Sequence, residues 1–371
     1  MGSNDGINYL AGNPILLTIS AGRYRIYTGA DYLNLIFEGS AASLTATTVI
    51  NITELFEGMK EDAGVTVAKM VTVSALGVEH ADEGNGINVF RFNVYGGGIS
   101  KALLRRLNSI NTDIFAWKIK STVRNFFLTS RTNGPVIYIP ENELMPLGFY
   151  TKGLNFSVKS NDETIESYIY SNSEVDSFET LSFAALRELF ATSKNKLVNV
   201  FDVITPSGTA CTIVITEARQ TTDYFIRFKN TWGVWEKLAL YGSLTFEPVF
   251  SEVAQVSKWD DVISDFTPSN PRKEISNSFT SSVGYRTDSE RLFIIDMLMS
   301  TAVVLIANDQ EYAVNISGEL PALISTEAQP VDVAIKIEFI DKETSFSDLS
   351  AIEIPYKENN SFEYSLPFNL D

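Results

Sequence analysis

Short runs in which apolar and polar residues alternate recur along the whole chain. The segments 15–19, 33–37, 65–67, 89–95 and 136–139 are each of strand length and bounded by Gly, Asn, Asp or Pro. That is the pattern of a half-buried strand closed by a turn. Together they predict an N-terminal β-domain over 1–145, which also holds the run Gly96-Gly97-Gly98 and a short helix after Ser100. Ser100 is a residue of N-cap type, and 101–107 is amphipathic.

The segment 140–148 carries Pro140, Pro146 and Gly148, and a boundary is expected there. A middle β-domain over 146–245 follows, with strands at 154–158, 167–170, 212–216 and 224–228. Ser182 is placed to cap a helix whose Phe183, Leu186, Leu189 and Phe190 share one face. The C-terminal domain, 246–371, begins with a polar stretch bearing Pro248, Pro268 and Pro271. Thr287 and Glu290 then form a T-x-x-E capping box ahead of a helix over 288–300. A strand at 331–339 alternates Val333, Ile335 and Ile337 with Asp332, Lys336 and Glu338. The pattern contains no internal repeat. It predicts a mostly-β, multi-domain architecture of antiparallel sandwich or barrel-like sheets with a few short helices.

Composition agrees with that class. The chain has 371 residues, 44% of them hydrophobic and 20% charged, which is the balance of a globular protein and enough for more than one core. Its 24 Phe and 15 Tyr favour strands. Net charge is −17, which opposes the phosphate-neutralising surface on which nucleic-acid affinity depends, and equally an anionic membrane. No nucleic acid and no membrane is therefore expected as a partner. A basic region followed by an apolar run is missing at the N-terminus, so export is not expected. With Cys211 alone, neither an intrachain disulfide nor a thiolate cluster can form, and its Thr-Cys-Thr-Ile setting predicts a core position.

The sequence offers little on which to build catalysis. His80 is the single histidine, so any Ser-His-Asp or multi-histidine arrangement would rest on one residue in a polar loop. Asp82, Glu83 and Asn85 cluster oxygens but lack the calcium-loop spacing. The triple glycine lacks a phosphate-loop context and reads as a turn or bulge. A glycosidase pair has no characteristic spacing, so 46 acidic residues carry no signal for one. The expectation is a protein without enzymatic activity and without a cofactor or metal.

Charge distribution and aromatics supply the candidate interface. Between 101 and 131 stand Lys101, Arg105, Arg106, Lys118, Lys120, Arg124 and Arg131 against Asp113 alone. The stretch 306–371 is strongly acidic. Opposite poles of this kind suit a head-to-tail contact between copies. Trp232 and Trp235, in a turn between aromatic strands, are the other candidates, placed either to cap a core or to offer a ring to a sugar or protein.

Three stretches carry a resemblance: the opening Ala11-Gly12-Asn13-Pro14-Ile15, the aromatic run from Phe225 to Glu236, and 281–287 leading into its helix. In these the chain resembles structural proteins of tailed phages and prophages of Bacteroides-like bacteria. The resemblance implies a virion protein of the tail, baseplate or neck, assembling as a homo-oligomeric ring with neighbouring virion proteins. A carbohydrate- or receptor-binding β-protein is the alternative expectation.

Overall fold

The computed structural model describes residues 8–20, 22–28, 31–37, 47–51, 68–76, 87–110, 126–132, 134–151, 154–161, 163–170, 178–219, 222–247, 249–254, 257–268, 272–286, 288–307, 310–318 and 331–343. The chain is mostly β, in several largely antiparallel sheets, as its alternating pattern predicts. The expected strand at 65–67, His80, the 82–85 cluster and the tail beyond 343 lie outside the described residues.

The first sheet draws on β1 (Asn8–Leu10), β3 (Gly22–Thr28), β4 (Asp31–Phe37), β6 (Ala68–Leu76) and β7 (Ile87–Tyr95), ordered β1-β7-β6-β3-β4. β2 (Leu16–Ser20) pairs separately with β5 (Thr47–Asn51). The parallel β1–β7 pair carries Leu10 beside Tyr95. Helix α1 (Lys101–Ser109) follows at once, and the Ser100 hydroxyl accepts the Leu103 N–H at 3.2 Å, the expected cap.

The second sheet comprises β8 (Val136–Pro140), β10 (Asn155–Ser160), β11 (Glu163–Ile169), β13 (Val200–Thr205) and β14 (Gly208–Thr216), ordered β11-β10-β13-β14-β8. β9 (Leu147–Tyr150) and β12 (Phe178–Leu181) make a ribbon beside it. Helix α2 (Phe183–Lys194) is capped by Ser182, whose hydroxyl accepts the Ala185 N–H, and closes on Asn195 in the left-handed conformation. Phe183, Leu186 and Phe190 enter a core with Phe127, Phe149, Phe156, Phe201, Ile213 and the buried Cys211. Leu189 departs from expectation at 50% exposed, because the stripe that meets the sheet ends at the 183-186-190 row.

The third sheet is built from β15 (Tyr224–Lys229), β16 (Trp235–Ala239), β17 (Tyr241–Phe246), β18 (Val249–Ala254), β21 (Arg272–Arg286), β22 (Val303–Ala307), β23 (Gln310–Gly318) and β24 (Val331–Glu343). Its order is β16-β15-β22-β23-β24-β21-β17, with β18 also on β21. Helix α3 (Asp288–Met299) lays Phe293, Ile294 and Met297 onto Ile226, Phe228, Leu305 and Ile337. Thr287 lies outside the described residues, and the Glu290 carboxylate pairs with Arg219 at 2.7 Å. β19 (Ser257–Asp260) and β20 (Asp265–Pro268) form a separate hairpin.

The boundaries expected at 145 and 245 do not separate the three larger sheets or their cores. β8 and the buried Phe126 and Phe127, all before 145, belong to the second sheet and its core. β15 and β16, before 245, pair into the third. Turn-rich composition at 140–148 marks the connection from β8 to the β9–β12 ribbon, and both sides of it enter the same core, since turns link elements of one core as readily as they separate domains. The polar stretch after 246 is itself strand. Two of its buried hydroxyls find acceptors, with Ser276 donating to Glu338 at 3.0 Å and Ser278 donating to the Glu247 carbonyl, which offsets the cost of placing those short polar side chains in a buried strand.

Candidate functional site

The described chain concentrates its buried ionisable groups where the three sheets meet. Arg131 lies in the segment that leads from the first sheet to β8. Its Nη1 donates to Glu143 Oε2 at 2.8 Å and its Nη2 to the Lys237 carbonyl at 2.6 Å, while its Nε stands 3.4 Å from Glu236 Oε2. The guanidinium carbon lies 4.1 Å from the centroid of the Phe293 ring. All three charged side chains of this triad are buried. A planar fork with five donors can serve two carboxylates and a carbonyl in a fixed, spread geometry, where an ammonium offers three rotatable donors from a single point.

Each carboxylate is then completed by the chain around it. Glu143, in a single 3-10 turn at Glu141–Glu143, also accepts the Ala239 N–H at 3.1 Å. Glu236 in β16 accepts from the Ser130 N–H at 2.9 Å, the Asn230 side-chain amide at 2.7 Å and the Thr129 hydroxyl at 3.2 Å. Asn230 also donates to the Leu128 carbonyl, and its oxygen accepts the N–H groups of Trp232 and Val234, both at 3.0 Å. That double acceptance shapes the turn between β15 and β16.

The same turn reaches the first sheet and helix α3. Thr231 donates its N–H to Asp296 Oδ2 at 2.9 Å, and its hydroxyl donates to the Gly98 carbonyl. The Gly98 N–H returns to the Thr231 carbonyl at 2.6 Å. Backbone packs on backbone here: a Cβ on Gly97 would lie 2.4 Å from the Trp232 carbonyl carbon, at a φ of +85°. The triple glycine is thus a surface of close approach between elements far apart in sequence.

Burial moves the titrations. Asp296 is pushed up to about 6, chiefly by desolvation and further by the charge on Glu236, against the opposing hydrogen bonds from Thr231 and Ser130. Lys237 is drawn down, first by burial and then by Arg131, with Glu143 opposing. The space left beside Arg131, Glu143, Glu236 and Lys237 is about 10 Å3, room for about one water molecule. The cluster is saturated by its own chain, and what it does chemically is join.

The sequence-predicted residues fall in several places. Lys101, Arg105 and Arg106 are exposed on α1. Lys118, Lys120 and Arg124 lie outside the described residues. Arg131, counted in the same basic run, is neutralised in the joint. Trp232 is 4% exposed and packs with Leu10, Tyr95, Leu128 and Tyr150, so its ring is not offered to a ligand. Trp235 is half-buried, with Arg227 at 4.9 Å and Lys229 at 5.7 Å from its ring. Sequence reading did not single out Glu143, Asn230, Glu236 or Asp296. The one local signal was an aspartate inside the apolar run Ile294-Ile295-Asp296-Met297.

Among the described residues no group of His, Cys, Asp and Glu is arranged to hold a metal ion, and no helix is long and apolar enough to cross a membrane. No family model matches the chain, and no curated protein is similar to it at a significant level.

Proposed function

We propose that this chain is a non-enzymatic assembly protein, a tail, baseplate or neck component of a tailed-phage virion that works by contact between its own copies and neighbouring subunits. The observation that carries the reading is the joint. Charged side chains that an enzyme would turn toward a substrate are turned inward on one another, and they tie strands, a helix and a glycine-lined backbone into one connected body. A subunit that must keep its shape while neighbours press on it needs such a connection. A buried, fully hydrogen-bonded polar network supplies it, because each member loses its partners if the elements slide. The resemblance in 11–15, 225–236 and 281–287 points the same way.

Light scattering across a wide concentration range, at low salt and at about 0.5 M salt, tests the proposal. A multi-copy species that grows with concentration and shrinks with salt is expected. A monomer under every condition would overturn self-assembly as the function.

A further inference from the structure

The hairpin β19–β20 is an amphipathic element that stands exposed among the described residues. Cross-strand pairing sets Trp259 opposite Phe266 and Ser257 opposite Pro268 on one face, and Lys258 opposite Thr267 and Asp260 opposite Asp265 on the other. The Trp259 and Phe266 rings meet edge to face at 5.1 Å, yet are 48% and 61% exposed. At the turn Val262 is 92% exposed and Ile263 58%. A two-stranded hairpin is marginal in water without something packed on its apolar side. Among the described residues nothing packs on that side or on the tip.

The charges around the tip indicate what meets it. Asp260, Asp261 and Asp265 surround the turn with Lys258 as the single cation, and two carboxylates directly opposite each other repel across the ladder. An approaching basic surface relieves that repulsion. An anionic lipid surface would add to it. Among the described residues α1 is such a surface: Lys101, Arg105 and Arg106 are exposed, take part in no ion pair there, and α1 contains no acidic residue. Beside them are the half-buried Leu103 and Leu104 and the exposed Ile110, apolar ground for the aliphatic tip.

We propose that the β19–β20 hairpin of one copy docks end-on against helix α1 of a second copy. Val262 and Ile263 meet the apolar flank of the helix, and Asp260, Asp261 and Asp265 face Lys101, Arg105 and Arg106. The two surfaces differ, so the contact is heterologous and propagates into a ring or a filament. With each copy at −17, copies repel overall, and this local match sets the register in which they can approach. The inference rests on the assembly reading above and names the interface that reading requires.

The test uses the full chain and exposed positions only, with thermal melting as the control for folding. V262S/I263S and R105E/R106E are each expected to weaken self-association by roughly tenfold or more. Mixed together they should form a 1:1 dimer and stop there, because the mixture holds one intact hairpin surface and one intact helix surface. D261K/D265K should fail alone and recover association when combined in one chain with R105E/R106E. If the parent assembles and the variants assemble equally well, or if the mixture stays monomeric, this interface is wrong while self-assembly stands. A parent that remains monomeric overturns both. Loss of binding to zwitterionic phosphatidylcholine vesicles in V262S/I263S, with mass unchanged, would assign the hairpin to a lipid surface instead.

Discussion

Thr231 and Gly98, 133 positions apart, hold each other from both sides: the Gly98 N–H donates to the Thr231 carbonyl at 2.6 Å, and the Thr231 hydroxyl donates to the Gly98 carbonyl. The reciprocity needs the two backbones in near contact, which the glycines allow. It also places the Thr231 N–H on Asp296, so one threonine links the first sheet to the turn of the third sheet and to its helix.

Gly97→Ala tests that contact. The added Cβ would fall 2.4 Å from the Trp232 carbonyl carbon and 2.6 Å from the Thr231 oxygen, and the residue must hold φ at +85°. The left-handed conformation and the overpacking together are expected to lower stability by at least about 2 kcal/mol. Gly208→Ala is the contrast, since a Cβ at that position meets nothing within 4 Å and only its positive φ of +124° opposes the change. Denaturant melts of the two variants should separate clearly.

Arg131→Met should be among the most damaging single changes in the described chain. It strands the buried carboxylates of Glu143 and Glu236, and breaking one side of a buried ion cluster typically costs about 3–5 kcal/mol. Adding E143Q and E236Q to the same chain removes the stranded charges and is expected to recover part of the loss. Urea unfolding of the single and triple variants checks both statements.

Asp296 predicts a pH dependence. Its carboxyl is raised from an ordinary value near 3.8 to about 6, so the folded chain holds a proton that the unfolded chain has released between those pH values. Its contribution is therefore fully present below about pH 4 and is lost as pH rises through about 6, a difference of roughly 3 kcal/mol. Asp296→Asn keeps an oxygen for the Thr231 N–H and cannot ionise. Its stability relative to the parent should rise between about pH 4 and 6 and level off above, measured by melts across that range.

Helix α2 gives a packing test. Leu186 is in the core and Leu189, three residues on, is half exposed. Leu186→Ala is expected to cost about 2–5 kcal/mol, and Leu189→Ala a small fraction of that. Equal losses would contradict the described orientation of the helix.

Cys211 should be inert to an aromatic disulfide reagent in the native protein and react fully once the chain is unfolded in guanidinium, because its thiol sits in the core of the second sheet.

Local information was legible wherever a single period of residues sufficed. The alternation at 331–339 names the residues β24 buries, Val333, Ile335 and Ile337, since strand side chains must point to opposite faces. Ser100 and Ser182 announced their helices because a cap bonds within its own first turn. The mostly-β class followed from the same local signals. Sheet membership did not: β8 joins β14 across more than seventy residues, and turn composition at 140–148 cannot say which strands a connection separates. The joint was hidden for the same reason. Arg131, Glu143 and Glu236 are unremarkable charged residues along the chain and Asp296 stands out only against its apolar neighbours, and only the close approach of three sheets removes water from them and draws them into one network. Tertiary packing also decided which aromatics are free, burying Trp232 and leaving Trp259 exposed, because a ring's exposure depends on what the rest of the chain lays over it. Strand, turn and cap were thus determined by the sequence through contacts a few residues long. Neighbour, burial and charge state were decided by contacts a hundred residues long.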